Sequence, residues 1–201
     1  MGLSSRAVAA FDRGYYQKYY FNPRTAVTSR HETNARARLV TAYAGHIGAP
    51  VRRILDAGCG TGMLRAPLMR AFPRALYVGI EVSEYLCNRY GWIRSSIEDY
   101  ATAHPFDLVI CYDVLQYLSD RQAARAINVL ADVCLGLLYF TALTSEDWQE
   151  NCDRRRTDSK VHLRPAAWYR ARLRRKFREV GAGFWIRHGA PLVTWSLEAV
   201  D

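Results

Sequence analysis

A glycine-rich turn at residues 56–62, Asp-Ala-Gly-Cys-Gly-Thr-Gly, constrains the fold of this chain more than any other feature. The alternating glycines let the backbone bend sharply and bring a ligand close, since no Cβ stands in the way. An apolar run precedes the turn, and after it Leu64, Leu68 and Phe72 recur every four residues, as on the inner face of a helix. The segment therefore predicts a buried strand, a ligand-binding turn and a helix in succession.

Three interpretations of this turn compete. A dinucleotide-binding turn carries the spacing G-x-G-x-x-G and directs the helix N-terminus at a pyrophosphate. Here the spacing is G-x-G-x-G, and Asp56 comes shortly before it. A carboxylate at this place would repel phosphates but would suit a ligand that carries a cation. A tight strand-to-helix turn without any ligand is the third interpretation.

The segment from Asp56 to Gly62 resembles the first motif of class I S-adenosylmethionine-dependent methyltransferases, and the resemblance extends over about Val51 to Leu143. It implies an α/β fold with a Rossmann-like seven-stranded, mostly parallel sheet, helices on both faces, an antiparallel last strand and an N-terminal helical cap. It also implies S-adenosylmethionine as the cofactor and S-adenosylhomocysteine as the product. In that family the turn cradles the methionine half of the cofactor, here through Asp56, Gly58, Cys59, Gly60 and Gly62.

Two further turns extend the resemblance. Residues 79–83, Gly-Ile-Glu-Val-Ser, are similar to the family's second motif, which implies that Glu81 accepts both ribose hydroxyls beside Val82. The alternative is that Glu81 is an acid favoured at a helix N-terminus, but Ser83 is the better cap. At the third turn the family's adenine-binding acid is replaced by Ser96, followed by Ile97. Ser96 can still accept a hydrogen bond, and Glu98 or Asp99 is the alternative acceptor.

The fourth strand ends at Cys111 and Tyr112, where open α/β sheets bind ligands, so both are expected at the cofactor. The next residues resemble the family segment that crosses the mouth of the cofactor site, and they place Gln116 and Tyr117 there. The segment lacks the Asp/Asn-Pro-Pro-aromatic sequence of enzymes that methylate adenine or glutamine amino groups. It also lacks the Pro-Cys nucleophile of cytosine C5 enzymes, so both subclasses are disfavoured.

Residues 1–45 are predicted to be helical, with an aromatic cluster at four-residue spacing that ends at Asn22-Pro23. A second helix is expected from about residue 28 or 31 to Ala44. The segment is either a cap packed on the sheet or a lid over the cofactor. In the second case Tyr16, Tyr20 and Arg30 would contact the cofactor.

Residues 145–164 are polar and are predicted to form an irregular loop that recognises the substrate, a solvated loop being the alternative. His162 is the expected general base because of its pKa, and Tyr117 is a second candidate. From Pro165 an apolar face at Leu173, Phe177 and Val180 predicts a helix. Residues 181–200 are then expected to form a closing hairpin.

The composition is that of one globular domain of 201 residues, half of them hydrophobic. We divide it into a cap or lid (1–45), a cofactor-binding core (50–144), a substrate loop (145–164), and a helix with a closing hairpin (165–201). The five scattered cysteines include no C-x-x-C pair, which argues against disulfides and zinc, and no metal is expected. No apolar run could span a bilayer or act as a signal peptide, so we expect a cytoplasmic protein without membrane contact.

The function predicted is transfer of a methyl group to an oxygen or nitrogen atom of a small-molecule acceptor. A second hypothesis is an RNA or protein methyltransferase that uses the arginine-rich face. The net charge of +9 favours this only modestly, because the excess is nearly all arginine and can reflect genome composition. A non-catalytic S-adenosylmethionine-binding protein is a third hypothesis, and an NAD-dependent dehydrogenase is a fourth. No oligomeric state is predicted.

Overall fold

The computed structural model describes residues 11–198. Residues 1–10, the start of the predicted cap, and 199–201, the end of the predicted hairpin, lie outside that range. One seven-stranded sheet organises the chain, in the order β3-β2-β1-β4-β5-β7-β6. Its strands are β1 (Arg53–Ala57), β2 (Leu76–Glu81), β3 (Ile93–Arg94), β4 (Phe106–Tyr112), β5 (Cys134–Thr141), β6 (Phe177–Glu179) and β7 (Phe184–Arg187).

The pairing within the sheet is parallel from β3 to β5, and β7 runs antiparallel to both of its neighbours. The predicted Rossmann-like fold, mostly parallel with an antiparallel last strand, is confirmed. The order reverses between β1 and β4, so the carboxyl ends of these two strands flank the crevice in which open α/β sheets bind ligands.

Helices cover the sheet, and local capping signals mark where several of them begin. A capping box of Ser29 and Glu32 starts one helix, and a box of Ser119 and Gln122 starts another. None of the helices within residues 11–198 is long and apolar enough to cross a membrane. The helices are α1 (Arg13–Tyr16), which continues as a π-helical turn (Gln17–Phe21), α2 (Arg30–His46), α3 (Arg65–Ala71), α4 (Glu84–Tyr90), a 3-10 turn (Leu115–Tyr117), α5 (Asp120–Val133), α6 (Ser145–Glu150) and α7 (Ala166–Leu173).

The core consists of two layers, one on each face of the sheet. Leu55 and Val109 contribute to the layer that contains α5, whereas their neighbours Ile54 and Leu108 contribute to the layer that contains α2 and α3. Successive strand residues point to opposite faces, and a central parallel strand is buried on both. This explains why the central strands are apolar almost throughout and why the few polar residues at their carboxyl ends stand out.

The predicted boundaries of the last helix and of the closing hairpin were wrong. Helix α7 ends at Leu173, and Phe177 lies in β6 rather than on a longer helix. The spacing of the apolar residues fits either structure, and pairing of β6 with β7 decides between them by burying Phe177 completely. The closing hairpin is therefore β6–β7, and residues 192–198 form no strand.

Two other segments also differ from the prediction. The third strand was expected over residues 92–96, but β3 has only two residues, and both are exposed at the sheet edge. The 145–164 loop is not irregular throughout, because it begins with α6, whose N-cap Thr144 accepts a hydrogen bond from the Asp147 N–H. An isolated parallel bridge between Thr144 and Arg164 closes the base of this loop.

Candidate active site

Two adjoining cavities lie at the carboxyl ends of β1, β2 and β4. The large cavity has a volume of about 660 Å³ and extends toward α2 and the 145–164 loop. The small cavity, of about 300 Å³, extends toward the turns after β2 and β3 and is covered by α1. Both are lined by Tyr20, Gly58, Gly60, Tyr112, Asp113 and Tyr117, which therefore mark the junction between them.

Asp56 lies on the wall of the large cavity, where the glycine turn begins. Its side chain is 3% exposed, and the Tyr77 hydroxyl donates a hydrogen bond of 2.5 Å to Oδ2. Burial raises the pKa of Asp56 to about 6, because the hydrogen bond from Tyr77 offsets only part of the desolvation and the charge of Glu81 adds to it. A buried carboxylate with so little local compensation is suited to a cationic ligand.

The glycines of the turn have different surroundings. Gly60 has a φ of +52° and lines both cavities, and a Cβ added to it would meet nothing within 4 Å. At Gly62 a Cβ would overlap the ring of Trp92, and Gly62 lines neither cavity. The absence of a side chain at Gly62 is thus required by packing, whereas at Gly60 it leaves open space for a ligand.

Glu81 ends β2, and main-chain donors hold it in place. Its Oε1 accepts the N–H groups of Val82 and Ser83 at 2.8 and 2.9 Å, and its Oε2 accepts that of Gly60 at 2.9 Å. Burial raises the pKa of Glu81, although these backbone hydrogen bonds oppose the effect. Ser83, not Glu81, caps α4, and Glu81 and Val82 line the small cavity.

The far end of the small cavity is formed by the turn after β3. Ser96 and Ile97 line it as expected, but the Ser96 hydroxyl donates to Asp99 Oδ2 at 3.0 Å. Glu98 is 8% exposed, and its Oε1 accepts from Gln122 at 3.0 Å. Its Oε2 is buried and has no hydrogen-bond partner within residues 11–198, although such groups are nearly always paired. Glu98 therefore presents an unused acceptor at the edge of this cavity.

The 3-10 turn supplies two polar side chains to the site. Tyr117 lines both cavities, and its hydroxyl lies 3.0 Å from that of Tyr15. Burial raises the pKa of Tyr117 to about 12, so it is a neutral hydrogen-bonding group at pH 7. Gln116 lines the large cavity and is 4% exposed. Its Nε2 donates to the Asp113 carbonyl oxygen at 2.9 Å, while its Oε1 has no partner in the described part of the chain.

The aromatic residues of the cap cover the small cavity. Tyr16 is 4% exposed and lines this cavity, and Tyr20 lies at the junction of the two. The rings of Phe11 and Tyr15 pack edge-to-face, and Phe11 also packs against Tyr117 at 5.1 Å between centroids. This arrangement fits both interpretations of the N-terminal segment, a packed cap and a lid.

Four predicted site residues line neither cavity within residues 11–198: Gly62, whose packing against Trp92 is described above, and His162, Arg30 and Cys111. His162 is exposed, and only its backbone N–H reaches the site region, donating to the Gln116 carbonyl oxygen at 2.7 Å. Arg30 is exposed on α2, which instead presents Glu32 and Arg36 to the large cavity. Cys111 is fully buried in the core, because β4 alternates its faces and Tyr112 is the residue that reaches the cavities. None of these four residues therefore lines either cavity in the described part of the chain, and their predicted roles stay predictions.

Sequence reasoning assigned no role to several residues that line the large cavity. Asp113 follows β4 with a φ of +53°, a left-handed conformation that is uncommon outside glycine and is frequent at functional sites. The guanidinium of Arg36 lies 3.7 Å from the ring centroid of Tyr112. Asp158, in the 145–164 loop, is 8% exposed. Only Asp113 had a local signal, a carboxylate directly after a buried strand.

Comparison with known proteins finds methyltransferases among both sequence relatives and solved structures. Residues 55–134 match the family model described as a methyltransferase domain. The malonyl-[acyl-carrier protein] O-methyltransferase of Legionella pneumophila is 32% identical over 116 residues, which cover 49% of this chain and 39% of that protein. The trans-aconitate 2-methyltransferase of Azoarcus sp. is 30% identical over 75 residues, 34% of this chain and 30% of that protein. The chain thus spans well under half the length of both curated relatives.

Solved structures share the fold at low sequence identity. The magnesium protoporphyrin IX methyltransferase of Synechocystis PCC 6803, crystallised with S-adenosylmethionine, has a TM-score of 0.65 at 18% identity, covering 90% of this chain and 95% of that one. The N-methyltransferase NodS of Bradyrhizobium japonicum has a TM-score of 0.51 at 20% identity, with 79% and 94% covered. Residues 55–134 thus match the methyltransferase-domain family, and the sheet around them has the fold of the class I methyltransferase structures.

Proposed function

We propose that this protein transfers the methyl group of S-adenosylmethionine to an oxygen or nitrogen atom of a small-molecule acceptor. One observation carries the proposal: Asp56 and Glu81 are both buried near the carboxyl ends of adjacent parallel strands, and they line adjoining cavities on either side of a glycine turn. A ligand with a cationic amino-acid end and a ribose would satisfy both carboxylates.

The residues of the small cavity fit the adenosine part of the cofactor. Glu81 is held by main-chain donors in an orientation in which its oxygens can accept the two ribose hydroxyls. The unpaired Oε2 of Glu98 can accept a hydrogen bond from the amino group of adenine. The sequence offered Ser96, Glu98 and Asp99 for this role. Tyr16 and Tyr20 enclose this part of the site from the lid.

The residues of the large cavity fit the methionine part. Asp56 can bind the ammonium group and Arg36 the carboxylate, and Gly60 leaves open space beside them. When bound, the cofactor supplies a methyl carbon that is already activated by a sulfonium.

The task of the protein is then to align the acceptor and to exclude water. The lid and the 145–164 loop do this together. Arg156 in the loop donates through Nε to the carbonyl oxygen of Ala26, 2.9 Å away. The hydroxyls of Tyr15 and Tyr117 lie within hydrogen-bonding distance of each other. Tyr117, at the junction of the cavities, can orient the acceptor as a neutral hydrogen-bonding group. A cavity of about 660 Å³ favours a small acceptor over a polymer.

Calorimetric titration with S-adenosylmethionine, S-adenosylhomocysteine and NAD tests the cofactor assignment. We expect micromolar binding of the first two, lost in Asp56→Ala and Glu81→Ala, and no binding of NAD. Tighter binding of NAD, or unchanged affinity in both variants, would refute the proposal. Transfer of label from methyl-labelled cofactor to an acceptor then separates an enzyme from a protein that only binds the cofactor.

A further inference from the structure

The large cavity has a charge of the opposite sign to the rest of the protein. The whole chain carries 28 Lys and Arg against 19 Asp and Glu, a net charge of +9. Only two cationic side chains among the described residues line the large cavity, those of Arg36 and Arg156. Six carboxylates line it: Glu32, Asp56, Asp113, Asp147, Asp153 and Asp158.

These carboxylates are not neutralised by ion pairs within the described residues, since the ion pairs found there involve other acids. Their hydrogen-bond partners are neutral donors. Asp147 accepts from Thr144 Oγ1 at 2.6 Å and from Asn151 Nδ2 at 2.9 Å, and Asp158 accepts from the Lys160 N–H at 3.0 Å. Such bonds orient the carboxylates but leave their charge facing the cavity.

The two arginines and Asp56 already have roles. Arg156 is directed at the carbonyl oxygen of Ala26. Arg36 and Asp56 match the carboxylate and the ammonium of the cofactor, according to the function proposed above. Five carboxylates therefore remain around the space left for the acceptor. A confined region lined by one sign of charge concentrates ligands of the opposite sign.

A buried acceptor atom at the same cavity gives a second and independent indication. The Oε1 atom of Gln116 has no partner among residues 11–198, although the residue is only 4% exposed. Rotating the side-chain amide of Gln116 by 180° would lose a hydrogen bond, because its Nε2 donates to the Asp113 carbonyl oxygen. A buried acceptor without a partner is unfavourable until a donor reaches it. The cavity thus suits an occupant that brings an N–H or O–H group.

We infer that the methyl acceptor is an amine that enters the large cavity as a cation. This inference rests on the proposed function and narrows it to N-methylation. The ammonium first loses one proton to solvent, and the nitrogen lone pair then forms the new N–C bond. The S–C bond breaks, its electron pair stays on sulfur, and the products are the methylated ammonium and S-adenosylhomocysteine. A carboxylate acceptor would be repelled by the carboxylates that line the large cavity.

The test is calorimetry on protein already saturated with S-adenosylhomocysteine, with two probes of one skeleton and opposite charge, phenethylamine and 3-phenylpropionate. We expect phenethylamine to bind and 3-phenylpropionate to bind more weakly or not at all. Asp158→Asn should weaken phenethylamine binding by roughly five- to tenfold, because one carboxylate charge is lost. Asp132→Asn, an exposed acid of α5 outside both cavities, is the matched control and should change nothing.

Preference for 3-phenylpropionate, absence of binding by both probes, or equal effects of the two substitutions would overturn the inference. Because binding of S-adenosylhomocysteine is measured first, its failure would refute the proposed function instead. Turnover gives a second readout, with methyl-labelled cofactor and an equimolar mixture of the two probes. Label stable to base indicates an N-methyl product, whereas release of labelled methanol indicates a methyl ester and contradicts the inference.

Discussion

Asp56 illustrates, at the scale of a single residue, a conflict between stability and binding. Its pKa in the folded protein is about 6, compared with an ordinary value of 3.8. The folded state therefore holds a proton that the unfolded state releases between these values, and stability falls as the pH rises through this window. Above pH 6 the ionised carboxylate destabilises the ligand-free protein by up to about 3 kcal/mol. A bound cation would recover this energy.

We expect Asp56→Asn to raise the free energy of unfolding of the ligand-free protein by about 1–3 kcal/mol at pH 7.5. The amide oxygen can still accept from Tyr77, while the buried charge is gone. Urea denaturation at pH 7.5 and at pH 4 checks this, because the gain should largely vanish at pH 4. The same variant should lose affinity for S-adenosylhomocysteine. A decrease in stability at pH 7.5 would contradict the assignment of Asp56 as a strained, ligand-binding carboxylate.

Gly60 and Gly62 form a matched pair for a second prediction at this scale. Gly60→Ala should cost only the strain of a left-handed alanine, about 1 kcal/mol, but should weaken S-adenosylhomocysteine binding strongly, since the Cβ enters the ligand space. Gly62→Ala should cost more stability, because its Cβ overlaps Trp92. Thermal unfolding and calorimetry on both variants measure the two effects. If the two variants lost the same affinity for S-adenosylhomocysteine and had the same stability, the two glycines would have the same role.

Arg164 links three elements around the 3-10 turn that carries Gln116 and Tyr117. Its side chain is 3% exposed, and Nη1 donates to the Leu115 carbonyl oxygen at 3.0 Å and to the Tyr169 hydroxyl at 3.1 Å. Nη2 donates to the Leu118 carbonyl oxygen, and Nε pairs with Asp120 at 2.7 Å. One guanidinium thus bonds carbonyl oxygens at both ends of the 3-10 turn, which its planar set of donors allows.

Arg164→Lys should therefore destabilise the protein by about 2–4 kcal/mol, because a single ammonium cannot reach acceptors on three elements. Asp120→Asn is the control: it removes only the partner that is 74% exposed, and we expect less than about 1 kcal/mol. Urea denaturation of both variants measures the difference. A loss in the Asp120 variant as large as in the Arg164 variant would assign the effect to the ion pair rather than to the turn.

At the scale of the whole molecule, the cap is joined to the rest of the protein by few polar contacts among the described residues. Ser83 Oγ donates to the Phe11 carbonyl oxygen at 2.6 Å, the hydroxyls of Tyr15 and Tyr117 meet at 3.0 Å, and Arg156 reaches Ala26. The central strands, in contrast, are fully paired and buried. Regions with few buried contacts open at lower free energy than the core.

We expect S-adenosylhomocysteine to slow amide hydrogen exchange in residues 13–21 by at least about tenfold while changing β1 and β4 little. At a ligand concentration of a hundred times Kd, global stability should rise by about 2.7 kcal/mol. Asp56→Ala, which should not bind, is the control and should show neither effect. Protection confined to the sheet, with the cap unchanged, would contradict the assignment of α1 and its π-helical turn as a lid.

The sequence alone indicated strands β1, β2, β4 and β5 in succession, the glycine turn, and the positions of Asp56, Glu81 and Ile97 beside strand ends. These depend on local signals: the apolar runs of the central strands and the spacing of the glycines. Such signals act over a few residues, so they can be read without knowledge of the fold. The same reasoning placed the aromatic residues of the cap but could not choose between a packed cap and a lid.

Only the tertiary structure decided which distant side chains meet. In the structure the side chain of His162 lies outside both cavities, whereas Arg36 and Asp158, which carry no local signal for that role, line the large cavity. It also placed Phe177 in a strand rather than a helix, because pairing with β7 buries that ring. These outcomes depend on packing between segments that are far apart in the chain. The net charge of a cavity likewise comes from side chains of several such segments, so it cannot be read from any single stretch of sequence.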